Sequence, residues 1–401
     1  MKPELILTEA DRCVKCGYCL PHCPTYALKA DEGESPRGRI ALIQGLISGA
    51  VDSQRLHDHL DSCLACRACE AACPSEVQYG KLITSVRETQ RGGGNRAGIL
   101  DSTLLHTLSH APYSQSTSTL ASLYQKSGLA SFTSMLGGET VKRLNRLLPK
   151  GIKATSWQEI YPATGETRGR VGLFTGCISR ITDSPALDAT IRILNKLGYE
   201  VVVPSQQGCC GAMHLNSGNS GEAEVMAKKN HGAFANLELD AVVGVVSGCL
   251  AHLKEYPEES SLPAPVTDIS ALLCAMPNIG DLRLEPLDKK VAVHTPCSMK
   301  NVLKQQSAPF ELLKLIPEIE LIELPENGLC CGAAGLYVIA NPEEADTLRE
   351  NKIEGLKESR ADILVTSNTG CSLHLAAGIA TAEIQVEVMH PVELLARQLA
   401  D

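Results

Sequence analysis

The 401-residue sequence predicts an α+β multidomain protein, an α-helical N-terminal domain followed by two repeated α/β modules. Two complete C-x2-C-x2-C-x3-C-P groups lie inside residues 1–90. Three cysteine anchors recur further along at offsets of 120, 121 and 122 residues. Around those anchors short apolar runs alternate with helical stretches, the pattern of a parallel sheet. The chain divides at 1–90, a cysteine-free connector at 91–167, and modules at 168–285 and 286–401.

Composition excludes several functions. Net charge is −9 and aromatic residues make up 3%, so the chain is built neither to neutralise phosphates nor to stack bases, and no nucleic-acid partner is expected. The start, MKPELILTEADRC, lacks a basic segment followed by a long apolar one, so no secretory signal is expected. No apolar window reaches the ~18 residues that span a bilayer. The expectation is a cytoplasmic protein, at most peripheral at the inner face of the cell membrane. Seventeen cysteines in such a setting point to metal rather than disulfides.

The first group is Cys13, Cys16, Cys19 and Cys23-Pro24; the second is Cys63, Cys66, Cys69 and Cys73-Pro74. This is the spacing of bacterial two-cluster ferredoxins, in which three thiolates of one run hold one cubane and the fourth reaches the other. Cys13, Cys16, Cys19 and Cys73 are therefore expected on one [4Fe–4S] cluster, and Cys63, Cys66, Cys69 and Cys23 on a second. Zinc would use two well-separated ligand pairs per site, which this pattern is not. The small residues Gly17, Ala65 and Ala68 leave room for backbone N–H groups near cluster sulfur. Between the groups, Ser35-Pro36 reads as an N-cap and first turn, followed by an apolar stripe at Ile40, Ile43, Leu46 and Ile47. Arg37 and Arg39 on that helix read first as solvated arginines, or else as groups that offset cluster charge.

The connector shows weak helical spacing at Leu100, Leu104, Leu105 and Leu108, and again at Val141, Leu144 and Leu147. Short helices packing the first domain against the modules are expected. Gly92-Gly93-Gly94 joins no strand to a helix and is no phosphate loop.

In each module the expected order is strand, cysteine, helix, strand, vicinal cysteines, helix, strand, cysteine. The strands are Val171–Phe174, Val201–Val203 and Ala241–Val246, then Val291–Val293, Leu321–Leu324 and Ile363–Thr366, with a helix at Ala186–Leu197. Every cysteine then follows a strand, at the edge where open α/β sheets build their sites. The candidates for an additional metal or redox site are Cys177, Cys209, Cys210, Cys249 and His252, and in the second copy Cys297, Cys330, Cys331, Cys371 and His374. Buried structural cysteine and a vicinal disulfide are the competing readings. Cys274 reads as core. His294 has no counterpart, Phe174 standing in its place, and His214 is equally ambiguous. No Walker motif and no G-x-G-x-x-G after a strand is present, so no complete catalytic site and no flavin or nicotinamide site is evident on this chain.

Cys13-x-Lys15-Cys16-Gly17-Tyr18-Cys19, Cys23-Pro24-Thr25-Tyr26, Ser35-Pro36-Arg37-Gly38-Arg39-Ile40 and Leu60-Asp61-Ser62-Cys63-Leu64-x-Cys66-Arg67-x-Cys69-Glu70 together resemble the iron–sulfur subunits of bacterial glycolate oxidase. The modules are similar to the cysteine-rich CCG domains that this family shares with heterodisulfide reductase subunits. The resemblance covers nearly the whole chain. It implies a helical ferredoxin-like domain with two [4Fe–4S] clusters, two CCG domains, one of which is a candidate for a further iron–sulfur cluster or metal, and partner subunits carrying FAD. It further implies an oxidoreductase complex acting on CH–OH donors, oxidising glycolate to glyoxylate and passing electrons toward quinone or another acceptor. D-lactate as substrate, or a thiol/disulfide enzyme of the heterodisulfide reductase type, are the alternatives. The module ends Cys249-x-x-His252 and Cys371-x-x-His374 depart from the C-x-x-C of cluster-bearing CCG domains.

Overall fold

In the computed structural model, the residues described are 1–92, 138–148 and 156–400, with positions 105, 106, 109, 123, 124, 127 and 133 between them. Leu100, Leu104 and Leu108 of the expected connector helix lie outside these, as do Gly93 and Gly94.

The N-terminal domain is all helical. Its helices Pro3–Ala10, Pro36–Ile47, Gln54–Asp61 and Tyr79–Gly92 close around Ile6, Ile43, Leu60, Leu82 and Val86. Ser35 begins the second of these as its sequence predicts: its Oγ accepts the Gly38 N–H at 2.9 Å, with Pro36 in the first turn. Ile40 and Ile43 point into the core, while Leu46 and Ile47 pack at its margin.

Each module is a mostly parallel sheet flanked by helices. The first has strands β1 (Ile160–Tyr161), β2 (Gly169–Leu173), β3 (Tyr199–Val202), β4 (Ala241–Gly244) and β5 (Val266–Asp268), ordered β1-β3-β2-β4-β5. All pairs are parallel except β1 with β3. The second has β6 (Lys290–His294), β7 (Glu320–Glu323), β8 (Ile363–Thr366) and β9 (Glu387–Met389), ordered β7-β6-β8-β9 and parallel throughout. The short edge strands β1, β5 and β9 carry too few residues for a periodic signal. The expected helix is observed as Ser184–Lys196, with Leu187, Ile191 and Leu194 buried.

The modules share one core. A single apolar cluster runs from Val171, Leu187 and Val243 of the first to Val293, Leu312 and Val365 of the second. The C-terminal helix Pro391–Arg397 packs on Ser184–Lys196, and Lys196 Nζ donates to the Ala400 carbonyl at 2.6 Å. At the other end of the sheets, Ser247 N–H donates to the Ser367 carbonyl at 2.8 Å.

The N-terminal domain is tied to both modules. Arg67 forms a double hydrogen bond to Glu255 of the first, at 2.5 and 2.6 Å, and Lys29 meets Glu344 of the second at 2.7 Å. The helix Glu139–Leu147 packs on the second module, where Arg143 grips Asp346 at 2.8 and 2.9 Å. Cys274, read from the sequence as core, is exposed on the helix Ile269–Ala275. Among the described residues no helix is long and apolar enough to cross a membrane.

Candidate metal centres

The two N-terminal cysteine groups converge on two cavities, and they do so crosswise. One cavity is lined by Cys13, Cys16 and Cys19 and, from the other group, by Cys73 and Cys69. The other is lined by Cys63, Cys66 and Cys69 and, from the first group, Cys23. Cys69, Tyr79 and Pro36 touch both.

The backbone around each run is shaped for an anion. Lys15 and Gly17 in the first loop have φ of 57° and 89°; Ala65 and Arg67, at the same places in the second, have 49° and 59°. Alternating left-handed residues turn successive N–H groups toward one concavity, a nest that suits iron–sulfur clusters. Ala65 N–H already lies 3.4 Å from Cys63 Sγ. Three of these four residues carry a Cβ, and each costs ~1–2 kcal/mol in that conformation. Strain of that kind persists where a function holds it in place.

The thiols are poised to lose protons to a metal rather than to water. Burial, reinforced by neighbouring thiolates, pushes Cys66 and Cys69 well up. Cys19 is raised more modestly, again by burial first. A cluster's iron must supply the charge that releases them.

Arg39 corrects the expectation of a solvated arginine. It is 1% exposed and reaches Glu34 Oε2 at 2.6 Å, Ser62 Oγ at 2.9 Å, Thr25 Oγ1 at 2.9 Å and the His59 carbonyl at 2.6 Å. Its Nη1 lies 3.9 Å from Cys23 Sγ. Burial opposes its charge, yet Cys63, Tyr79, Cys23 and Glu34 hold it firmly protonated. Arg37 lies at the other cavity, bonded to Glu32 at 2.7 Å and donating to the Lys15 carbonyl at 3.3 Å. Thiols, nests and a fixed cation make these two sites fit cubane clusters.

The cavities face differently. Around the Cys13 loop Cys16 is exposed, Val14 is 69% exposed and Tyr18 67%. The second cavity looks inward. Cys66 and Leu64 pack with Cys297, Cys330 and Tyr337 of the second module, and Asn301 Nδ2 donates to the Cys66 carbonyl at 2.8 Å.

In each module the cysteines gather at the carboxyl ends of three adjacent strands. Cys177 follows β2, Cys209 and Cys210 follow β3, and Cys249 follows β4. Cys297, Cys330/Cys331 and Cys371 follow β6, β7 and β8 in the same way. The glycine after each pair, Gly211 or Gly332, has φ of 87° or 88° and packs on Ala223 or Ala345. A strap fixes the loop after the central strand: Gln207 accepts the Thr175 N–H and donates to the Leu173 carbonyl, and Asn327 does both for Thr295 and Val293.

In the first module the four thiols form a chain. Hydrogen bonds from Cys177 and Cys210 hold Cys209 far below the usual thiol range, and the same bonds push Cys177 and Cys210 up. In the second, contact with Cys330 and burial raise Cys297. Cys330 and Cys331 each accept from the preceding thiol, but their onward contacts and burial leave both well above the ordinary value.

The histidines chosen by offset behave unlike the one that lacks a counterpart. His252 lies edge-on to Tyr256 at 5.2 Å, its pKa pulled down to about 4 by burial. His374 turns away from the thiols, Nε2 at 3.0 Å from the Ala345 carbonyl. His294 is 2% exposed and lies with Cys331 and Cys371. The signal for it was present in the sequence as the mismatch with Phe174. His214, on the helix Ala212–Asn216, is buried against Ser109 Oγ at 2.8 Å.

Comparison with known proteins agrees with this architecture. A 4Fe-4S dicluster domain matches residues 9–77, and a cysteine-rich CCG domain matches twice, at 171–254 and 291–376. The probable glycolate oxidase iron-sulfur subunit of Bacillus subtilis (strain 168) is 33% identical over 96% of this chain and 93% of its own length. The glycolate oxidase iron-sulfur subunit of Escherichia coli (strain K12) is 32% identical over 100% of this chain and 97% of its own. This chain belongs to the glycolate oxidase iron-sulfur subunit family. Members of that family are iron–sulfur proteins, and the two thiol-lined cavities lie where the dicluster match falls. Lactate utilization protein A of Oceanobacillus iheyensis is 32% identical over 56% of this chain and 96% of its own length.

Proposed function

We propose that this chain is the electron-transfer subunit of a flavin-dependent 2-hydroxy-acid dehydrogenase complex that oxidises glycolate and passes electrons toward quinone. FAD resides on partner subunits, because no nucleotide-binding motif is present here. Cys13, Cys16, Cys19 and Cys73 hold one cluster; Cys63, Cys66, Cys69 and Cys23 hold the other. Bound there, the clusters supply one-electron carriers between a two-electron donor and an acceptor.

The observation that carries the reading is the crosswise lining of the two cavities, one opening at Val14, Cys16 and Tyr18 and the other set against the second module. Loops some fifty residues apart in sequence are thereby locked side by side. The exposed loop offers an electron entry point to a partner flavoprotein. Arg39 offsets negative charge at the inner site and Arg37 does so at the outer one.

The test is to isolate the chain anaerobically with the flavoprotein that co-elutes and to add glycolate. About eight irons per chain and bleaching of the cluster absorbance are expected. Bleaching by D-lactate alone would keep the role and move the substrate, the reading favoured by likeness to lactate utilization protein A. Clusters reducible by dithionite but by neither hydroxy acid would remove the proposed donor.

A further inference from the structure

The Cys331–Cys371 corner of the second module is built unlike its counterpart. Ligand atoms of His294, Cys331 and Cys371 lie within 4.8 Å of one another, and all three residues are buried. Among the described residues this is the one such trio. Three donors around a single tetrahedral ion stand ~3.3–3.8 Å apart, given metal–ligand distances of ~2.0–2.3 Å. A four-iron core needs its donors spread around a larger body, as in the N-terminal cavities.

We propose that the second module binds one thiophilic divalent cation of the zinc class through His294, Cys331 and Cys371. The surroundings orient each ligand. Thr366 Oγ1 lies 2.8 Å from His294 Nδ1, which assigns Nε2 to the ion. Asn368 Nδ2 donates to Cys371 Sγ at 3.3 Å. The two sulfurs stand 3.2 Å apart and part by ~0.6 Å to reach the ~3.8 Å that two thiolates take on zinc. A disulfide would instead draw them together by ~1.1 Å.

Two thiolates and one imidazole neutralise a divalent cation and leave a fourth position. Lys352, 1% exposed and donating to the Glu326 carbonyl at 2.6 Å, faces this corner. The thiol of Cys330, vicinal to Cys331, is the neighbouring candidate for the fourth ligand. The first module has Phe174 in place of His294 and Asn230 at the position of Lys352, and forms no such trio. The proposal deepens the reading of the module cysteines and rests on this chain's residues alone, independent of the donor flavoprotein.

The experiment uses the full chain, loaded anaerobically with iron and sulfide and then titrated with Co(II). About one cobalt per chain is expected, with thiolate-to-cobalt charge-transfer and strong tetrahedral d–d bands, above an unchanged iron content of about eight. H294F, which installs the first module's residue, and C371S should abolish the bands while cluster absorbance and far-UV circular dichroism persist. T366V, which frees the ring without removing it, should weaken cobalt binding ~10–100-fold. C210S in the first module should leave the spectrum intact. The proposal fails if folded, cluster-loaded wild type takes up no cobalt, or if H294F keeps the bands. It also fails if iron rises to about twelve and stays there in H294F, because a third cluster then occupies the cysteines. None of these outcomes touches the bleaching by hydroxy acid.

Discussion

The two modules have the same scaffold and different chemistry. Both place four cysteines at the same strand ends, both fix the vicinal pair with a left-handed glycine, and both strap the central loop with an amide side chain. They part at a few positions. Phe174 packs against Cys210 in the first module, where Asn230 bonds the Gly208 N–H, the Cys209 carbonyl and the Tyr256 hydroxyl. That site is closed by protein groups, with Cys209 held low by the thiols of Cys177 and Cys210. The second puts His294 and the cation of Lys352 beside its thiols and holds Cys297, Cys330 and Cys331 high. Duplication fixed the frame, and substitution at its rim changed what the frame can hold.

The equivalence of the frames is open to a direct attack at the glycines. A Cβ on Gly332 would stand 2.6 Å from the Ala345 carbonyl oxygen, whereas on Gly211 its nearest neighbours, Ala223 Cα and O, are at 3.2 Å. Gly332→Ala should cost ~3–5 kcal/mol, the left-handed penalty plus a backbone clash, and Gly211→Ala ~1–3 kcal/mol. Urea unfolding of the cluster-loaded chain measures both, and equal losses would mean the two turns are not held as described.

The caps of the last helix in each module oppose each other in pH. Asp268 Oδ1 accepts the Ser270 N–H at 2.8 Å, and burial pushes its carboxyl up to about 7. His390 Nδ1 accepts the Val392 N–H at 3.1 Å, and burial pulls its imidazole down to about 3. A raised carboxyl contributes stability that is complete below 3.8 and lost as pH rises through 7. A depressed imidazole contributes stability complete above 6.5 and lost as pH falls toward 3. Asp268→Asn should therefore gain ~1–4 kcal/mol at pH 8, and His390→Asn should flatten the acid limb by a similar amount. Melting curves from pH 4 to pH 9 read both; a mutant profile parallel to wild type would refute the assignment.

The smallest effect is expected where the helix Glu139–Leu147 braces the second module. Arg143→Ala, which removes the paired hydrogen bonds to Asp346, should cost ~0.5–1.5 kcal/mol and raise proteolysis of the connector. An unchanged cleavage rate would mean that the helix Glu139–Leu147 is held by other contacts.

Much of this was readable in the sequence because cysteine spacing is geometry in linear form. The eight N-terminal thiols, the repeat and six of the nine strands follow from fixed offsets and apolar runs. What was not readable depends on who faces whom. Matching offsets drew attention to His252 and His374, whereas the histidine that lies with two module thiols is His294, visible only as a break in the repeat. Arg39 looked solvated because arginine usually is; its burial requires Glu34, Thr25 and Ser62 to meet it from three other segments. Cys274 looked like core because its neighbours are apolar, but it falls on the outer face of its helix. The core common to both modules has no sequence signature, since each half shows the alternation of a free-standing domain.

That common core orders events during synthesis. The helix Ser184–Lys196 leaves the ribosome without Pro391–Arg397, the segment that covers it, which follows almost two hundred residues later. At ~5–20 residues per second the interval is ~10–40 s. For that time the surface that the last helix covers stays open, so the nascent first module is the stage at which this chain is most exposed to chaperones and to aggregation.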